Sequence, residues 1–317
     1  VGSSQTDILL ISTDRGPDVR HSLPLALAQP GARVTVIDNA CRDETAQLAA
    51  DAGAEVLRLE RRLSWASANN AAIAATDADE VLLLNADCFL APDFLVGMRP
   101  RLWEVGVGAV APKLLRAAGP GEPLPEIDTA GLILDRRRKN NLIGHGAAAD
   151  RYSTPGLCFG ADGAAVLYRR EMLRDCAIDG LALDEDLEKY AADVDLAWRA
   201  QLLGWRCAYE PSAHAHHIRT YSPSTRAQVS AAERRMQFRN RYLMMIKNET
   251  GRGLARDGAF IAGYEVLALG HVLLRERELL GAYAEAARLA RRALARRRQV
   301  QGRRRVDVPP FGLAPRP

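Results

Sequence analysis

The sequence predicts an α/β fold on a mostly parallel sheet, extended at its C-terminal end by helices, and three observations carry this. Short apolar runs bounded by polar residues recur at Asp7–Ser12 (DILLIS), Arg33–Ile37 (RVTVI) and Glu80–Asp87 (EVLLLNAD). Such runs mark strands buried on both faces, as in parallel sheets. Helical patterns lie between them, as βαβ crossovers require. Beyond Tyr221, long Ala/Leu/Arg stretches replace the strand pattern.

Taken in order, Asp7–Ser12 is the first strand, and no leader is expected before it. A Leu/Ala-rich helix over His21–Gln29 ends at Pro30-Gly31, a pair that punctuates helices. Arg33–Ile37 is the second strand, Thr45–Ala52 a helix, Glu55–Leu59 the third strand, and Ser67–Ala75 the helix before EVLLLNAD. Residues Lys113–Gly160, rich in Gly, Pro and charge, predict a hairpin or loop excursion suited to substrate contacts. Trp205–Glu210 is strand-like. The apolar stretch Gly258–Leu274 is slightly short for a membrane span and carries Glu265 and His271, which favours a core or interfacial helix. Residues 306–317 are Pro-rich and expected to be disordered.

Composition excludes several classes. A hydrophobic content of 48% with 26% charged residues is that of a globular chain. The five cysteines are scattered without a CxxC, which argues against a zinc site or a disulfide framework and for a reducing compartment. No GxGxxG follows the first strand, so a dinucleotide site has no support. The arginines between Arg288 and Arg305 have no aromatics among them, so nucleic acid is not an expected partner. An apolar stripe of Leu279, Leu280, Tyr283, Ala287, Ala290 and Leu294 beside those arginines suits peripheral contact with an anionic membrane. The same stripe could instead pack on the protein or on a second copy in a homodimer.

Three clusters could do chemistry. Asp87 ends the EVLLLNAD strand, where ligands of parallel sheets sit. A carboxylate there can hold Mg²⁺ or Mn²⁺ against a diphosphate, although Asn and Asp also favour plain turns. Asp38, directly after RVTVI, can accept hydrogen bonds from a nucleobase or ribose, or can cap a turn. Asp193 begins a helical pattern closed by Gly204, and a helix N-terminus keeps a carboxylate ionised and able to take a proton. Of six histidines, three fall in PSAHAHH: His214 and His216 share one strand face and His217 takes the other. Spacing does not choose a metal ligand among them.

In order, the segments VTVIDNACRDET, WASANNAAI, LLLNADCFLAPDFL, GAAVLYRREML, LDEDLEKYAADVDLAWRAQLLGWRCAYEPSAHAHH and RNRYLMMIKN resemble the inverting family-two glycosyltransferases, particularly a rhamnosyltransferase-like branch. The resemblance covers about residues 7–250. It implies the A-type glycosyltransferase fold, Rossmann-like with flanking helices, over residues 1–220 (donor half to about 110, acceptor half beyond), and a helical region over 221–305. It implies a nucleoside-diphosphate sugar donor, dTDP- or UDP-linked with dTDP-rhamnose favoured. The implied acceptor is a saccharide or polyprenyl-linked saccharide of the cell envelope, with a small aglycone as the alternative, and the implied location is the cytoplasm or the inner face of the plasma membrane. Thr13, Asp14, Asp38 and Asn69 would lie at the nucleotide site, and Asp87 would bind both nucleotide and metal. His217 would join Asp87 at the Mg²⁺ or Mn²⁺, with His216 in reserve, and Asp193 would be the catalytic base. Asp184, Glu185 and Trp198 are candidate acceptor contacts.

The chain departs from the family pattern in three places. Ala192 replaces the Glu of a Glu-Asp pair, leaving Glu188 or Asp195 to supply the missing contact, and this departure motivates the alternative of a non-catalytic sugar-nucleotide scaffold. Ala86 replaces a frequent Pro, and Arg62 and Ser64 stand where Asn and Gly are usual.

Overall fold

The computed structural model describes residues 5–219 and 229–317. The expected boundary at 220/221 lies outside the described residues. The chain opens with β1 (Thr6–Ser12), α1 (Gly16–Leu27), β2 (Ala32–Asp38), α2 (Thr45–Asp51), β3 (Glu55–Arg58), α3 (Trp65–Ala75) and β4 (Glu80–Asn85). Every strand and helix read from this half is present. α1 starts five residues earlier than its Leu/Ala pattern, because Pro17 sits in the first turn, where a missing N–H costs nothing. α3 begins earlier too, capped by the Ser64 hydroxyl, which accepts from the Ser67 amide at 3.1 Å.

Next come β5 (Cys88–Leu90), α4 (Phe94–Leu102), β6 (Val107–Gly119), β7 (Glu122–Thr129), β8 (Leu132–Leu134), β9 (Asn140–Leu142), β10 (Gly156–Cys158), β11 (Ala165–Arg169) and α5 (Arg170–Asp175). The antiparallel pairs β6–β7 and β8–β9 form the expected excursion. The main sheet runs β10-β12-β6-β11-β4-β1-β2-β3, where β12 is Arg206–His217 and follows α6 (Ala192–Leu202). Strands β4, β1, β2 and β3 are parallel, while β11 lies antiparallel between β4 and β6, so the sheet is mixed beyond β4. Successive residues point into opposite cores, Leu9, Ile11 and Leu83 on one side and Ile8, Leu10, Leu82 and Leu84 on the other, which is why these strands read as unbroken apolar runs.

β12 extends past the expected Glu210 through the histidines. Pro211 falls where the register against β6 slips between Glu210 and His214, a bulge that needs no ladder N–H from it. The strand therefore delivers His217 to the same end of the sheet as Asp87.

Among the described residues three α-helices follow: α7 (Ala231–Asn248), α8 (Gly251–Leu274) and α9 (Leu280–Arg303). Of the stripe expected to meet lipid, Leu279 is buried and Tyr283 and Ala290 are half-buried, while Leu280, Ala287 and Leu294 are exposed; α9 packs on the protein by a neighbouring face. Ala282, Ala286, Ala293 and Val300 are buried as α9 packs along α7, and Tyr283 joins Phe238 and Tyr242 in an aromatic cluster. Arg296 points inward to Asp184 at 2.5 Å and Asp186 at 2.6 Å. The tail expected to be disordered is instead placed against the core. Phe311 lies 5.9 Å from Phe159 and edge-on to Trp198, the Arg138 guanidinium covers its ring, and the Gly312 amide donates to the Leu134 carbonyl. Proline content signalled disorder, but one aromatic side chain with a pocket to fill outweighs it.

Candidate active site

β1, β2, β4 and β12 all end at one edge of the sheet, and their terminal residues form a polar cluster there. Asp87 follows β4. Its Oδ1 stands 3.5 Å from Nε2 of His217, and its Oδ2 pairs with Arg15 at 3.0 Å. Burial would raise the Asp87 carboxyl, but His217 and Arg15 hold it below its ordinary value. The opposite ring nitrogen of His217, Nδ1, is 2.8 Å from Asp128 on β7. Burial alone would depress this imidazole, yet the hydrogen bonds to Asp128 and Asp87 raise it to about 9. Arg219 binds Asp128 through two nitrogens, at 2.5 and 2.9 Å, and reaches Asp162 at 2.7 Å. A continuous ionic chain thus runs Asp87–His217–Asp128–Arg219–Asp162.

Asp193 adjoins the far end of this chain. Its carboxylate accepts from the Gly163 amide at 3.0 Å and from the Val194 amide at 2.8 Å. Burial, reinforced by the negative charge of Asp162, pushes it up to about 6 against those two donors. Such a group is ionised at neutral pH and basic enough to take a proton. The Trp65 indole bridges the two sides: its Nε1 donates to Asn85 Oδ1 at 3.0 Å, and a Cβ added to Gly163 would lie 2.7 Å from its ring. Gly163 is therefore the residue that lets β11 approach α3.

The donor set fits a divalent cation. Nε2 of His217 and Oδ1 of Asp87 face each other at 3.5 Å, near the separation of two ligands each about 2.1–2.2 Å from one ion. Asp128 fixes the ring from behind, as outer-shell carboxylates do for metal-binding histidines. One nitrogen donor favours Mn²⁺ over Mg²⁺, which prefers all-oxygen shells.

The sequence model of the family described as Glycosyl transferase family 2 matches residues 8–176, more than half of the chain. The chain belongs to glycosyltransferase family 2. Among curated proteins it is similar to the uncharacterized protein y4gI of Sinorhizobium fredii, 28% identical over 198 residues, which cover 60% of this chain and 20% of that protein. The chain thus spans about a fifth of the length of that curated relative. Among solved structures it is similar to the mannosyltransferase PcManGT of Pyrobaculum calidifontis in complex with GDP-Man and Mn²⁺ (16% identity, 94% of this chain, 85% of that one, TM-score 0.55). It is also similar to TarS 1–349 of S. aureus in complex with UDP-GlcNAc (15% identity, 94% and 87% covered, TM-score 0.58). At these identities the likeness is one of fold: the A-type glycosyltransferase fold.

The other expected site residues of this family-two transferase fall into place unevenly. Thr13 and Asp14 directly follow β1. The Thr13 hydroxyl accepts from Asn39 at 3.1 Å, and Asp14, in the left-handed region at φ 54°, accepts from the Arg42 amide at 2.7 Å and pairs with Arg62. The unusual Arg62 thus has a partner at this rim. Asp38 accepts from the Cys41 amide at 2.7 Å, the turn role its position allowed, and its second oxygen faces Arg58 at 3.7 Å. Asn69 is on α3 as expected but fully buried, its amide donating to the Trp65 carbonyl, so its side chain does not reach a nucleotide.

The acceptor-side expectations need correction. Trp198 is fully buried behind Phe311, and Asp184 is buried against Lys247 and Arg296. Neither is available to a substrate. Glu185 is half-buried and accepts from Asn70 at 3.2 Å. Of the two stand-ins for the missing Glu, Asp195 is buried against Arg199 and Lys247, whereas Glu188 keeps a side chain 44% exposed and pairs with Arg239. Sequence reasoning missed Asp128, Asp162, Arg219 and the role of Trp65. Only the charged excursion around Asp128 hinted at any of them.

Proposed function

We propose that this protein is a metal-dependent inverting glycosyltransferase that moves a sugar from a nucleoside diphosphate to a hydroxyl of a saccharide or lipid-linked saccharide in cell-envelope glycan synthesis. The donor we propose is dTDP-rhamnose, on the sequence resemblance. The observation that supports the reading is the ionic chain from Asp87 to Asp162, which has the two proposed cation ligands, Asp87 and His217, at one end and Asp193 beside the other.

Asp87 and His217 would hold a Mn²⁺ ion, which when bound would supply positive charge to neutralise the departing diphosphate. Asp193 accepts the proton of the acceptor hydroxyl as that oxygen attacks the anomeric carbon, and single displacement inverts the configuration. The Trp65 indole, bonded to Asn85 near Asp87 and packed on Gly163 near Asp193, lies between the two functions, and Arg15, paired with Asp87, would be placed to meet the diphosphate.

The test is a thermal-shift panel of uridine, deoxythymidine and guanosine diphosphates, each with and without Mn²⁺. A ligand at 100 times its dissociation constant stabilises the fold by about 2.7 kcal/mol. We expect a Mn²⁺-dependent shift with deoxythymidine diphosphate. A shift with another base alone would replace the donor, and no shift with any would overturn the reading.

A further inference from the structure

α8 is amphipathic the wrong way round for a soluble protein. Between Gly258 and Leu274 its one full charge is Glu265, and that carboxylate faces inward, bonded to Arg241 and Tyr242 of α7. Asp257, just before this stretch, is fully buried and shared by Arg136, Arg138 and Arg256. The apolar residues point the other way: Val266 is 72% exposed, Leu267 74% and Leu274 79%, with Phe260, Leu269 and Leu273 also open to solvent. At 100° per residue these side chains fall on one half of the helix, which presents no charge outward over four turns. An apolar face this long and this exposed marks a surface that meets something other than water.

Arginines rim the patch. Arg252 and Arg256 lie at its N-terminal end, exposed but paired with Asp307 and Asp257, Arg275 and Arg277 lie exposed at its C-terminal end, and Arg136, also paired with Asp257, stands beside it over the Phe260 ring. Two-fold packing of a second copy on this face would set arginines against arginines in either orientation. In the antiparallel case Arg252 and Arg256 would meet Arg275 and Arg277, and in the parallel case each would meet its own counterpart. A surface of acidic headgroups over hydrocarbon complements both features. α8 is 24 residues, about 36 Å long, enough to span a bilayer. Asp257, Glu265 and the buried Val272, however, tie one side of it along its length to the rest of the fold. It can lie in a membrane surface, not cross it.

We infer that α8 is an in-plane membrane anchor, its Phe260–Leu274 face inserted at the headgroup boundary of an anionic bilayer and its flanking arginines paired with lipid phosphates. The inference stands apart from the transferase reading. It moves the expected membrane contact from α9, which packs along α7 through Ala282, Ala286, Ala293 and Val300, to the helix before it. It also suits a lipid-linked acceptor, because the excursion that carries Asp128 to the site is the one whose residues 136–138 hold α8.

The experiment is sedimentation of the whole chain with phosphatidylcholine vesicles lacking or containing phosphatidylglycerol, at low and high salt. We expect binding to the anionic vesicles, weakened by salt, and at least about a tenfold lower partition for Val266→Glu with Leu267→Glu, since each side chain contributes more than one decade when buried. Both positions are exposed, so the variant should keep the wild-type melting temperature. Arg288→Ala with Arg291→Ala on α9 should bind within about twofold of wild type, having lost no inserted side chain. Three results would overturn the inference: no binding by the wild type, equal binding by the glutamate variant, or a concentration-dependent dimer abolished by the glutamates in a chain that ignores vesicles.

Discussion

Asp193 sits where burial and the charge of Asp162 oppose its ionisation, and this gives it two measurable consequences. As the proposed base it must be deprotonated, so kcat/KM should fall as pH drops through about 6, and Asp162→Asn should move that limb to lower pH by removing the like charge. Asp193→Asn should lower kcat by about 10²–10⁴-fold with nucleotide binding retained. A variant with full activity would exclude Asp193 as the base. The second consequence is on stability. A carboxyl raised from 3.8 to about 6 in the folded state disfavours folding once ionised, so the wild type loses stability as pH rises from about 4 to 6. The penalty is at most about 3 kcal/mol at neutral pH, and Asp193→Asn should lack this pH-dependent part of the unfolding free energy. Asp128 acts through His217: Asp128→Asn should weaken Mn²⁺ binding about 10–100-fold, measured by calorimetry, since the ring loses its orienting partner. Asp87 and Asp193 stood out in the sequence because one follows a recognisable strand and the other opens a recognisable helix, whereas His217 was singled out among its neighbours only by the resemblance. Asp128, Arg219 and Asp162 did not stand out, because their meaning lies in contacts across 57 to 91 residues of chain that no local pattern encodes.

At the scale of elements, a buried charge network joins α6 and the turn before it to α7 and α9. Lys247 of α7 lies against Asp184 and, at 2.9 Å, Asp195, while Arg199 and Arg296 hold the outer sides of the same carboxylates. The sequence showed Lys247 only as one letter of a family-like segment. It showed Asp184 and Asp195 as acidic residues near a helix start, where solvent or substrate is the ordinary partner. Nothing in the spacing announces a lysine from a helix 50 residues on. Removing one member of a buried ion pair typically costs about 3–5 kcal/mol, because the survivor is left uncompensated. Here each carboxylate keeps an arginine, so Lys247→Met should destabilise by about 3 kcal/mol, at the low end, read as a lower urea midpoint with unchanged slope. A loss below about 0.5 kcal/mol, the range of ordinary surface substitutions, would mean that the arginines alone satisfy the site.

For the whole molecule, the sequence divides the chain at 220/221 by a change of pattern, whereas the packing joins what the pattern divides. Lys247 and Arg296 reach back to the acidic turn before α6, Arg138 of the excursion is fully buried against Glu249 and Asp257, and Phe311 closes over Phe159 and Trp198. Units sharing buried charges cannot separate without stranding them, so unfolding should be one event. The chain supplies its own probes. Its four tryptophans, Trp65, Trp103, Trp198 and Trp205, all precede the C-terminal helices, while α7, α8 and α9, with 18, 24 and 24 residues, carry the larger part of the helix. Fluorescence therefore follows the sheet domain and far-ultraviolet circular dichroism follows mainly the helices. We expect the two urea transitions to coincide, and Phe311→Ala to lower both midpoints together through a loss of about 2 kcal/mol in unfolding free energy, less than for a fully buried Phe because this ring is half-exposed. A helix transition at lower urea than the tryptophan signal would show that the C-terminal helices fold as a separate unit, docked on the transferase domain by contacts weaker than the buried network implies.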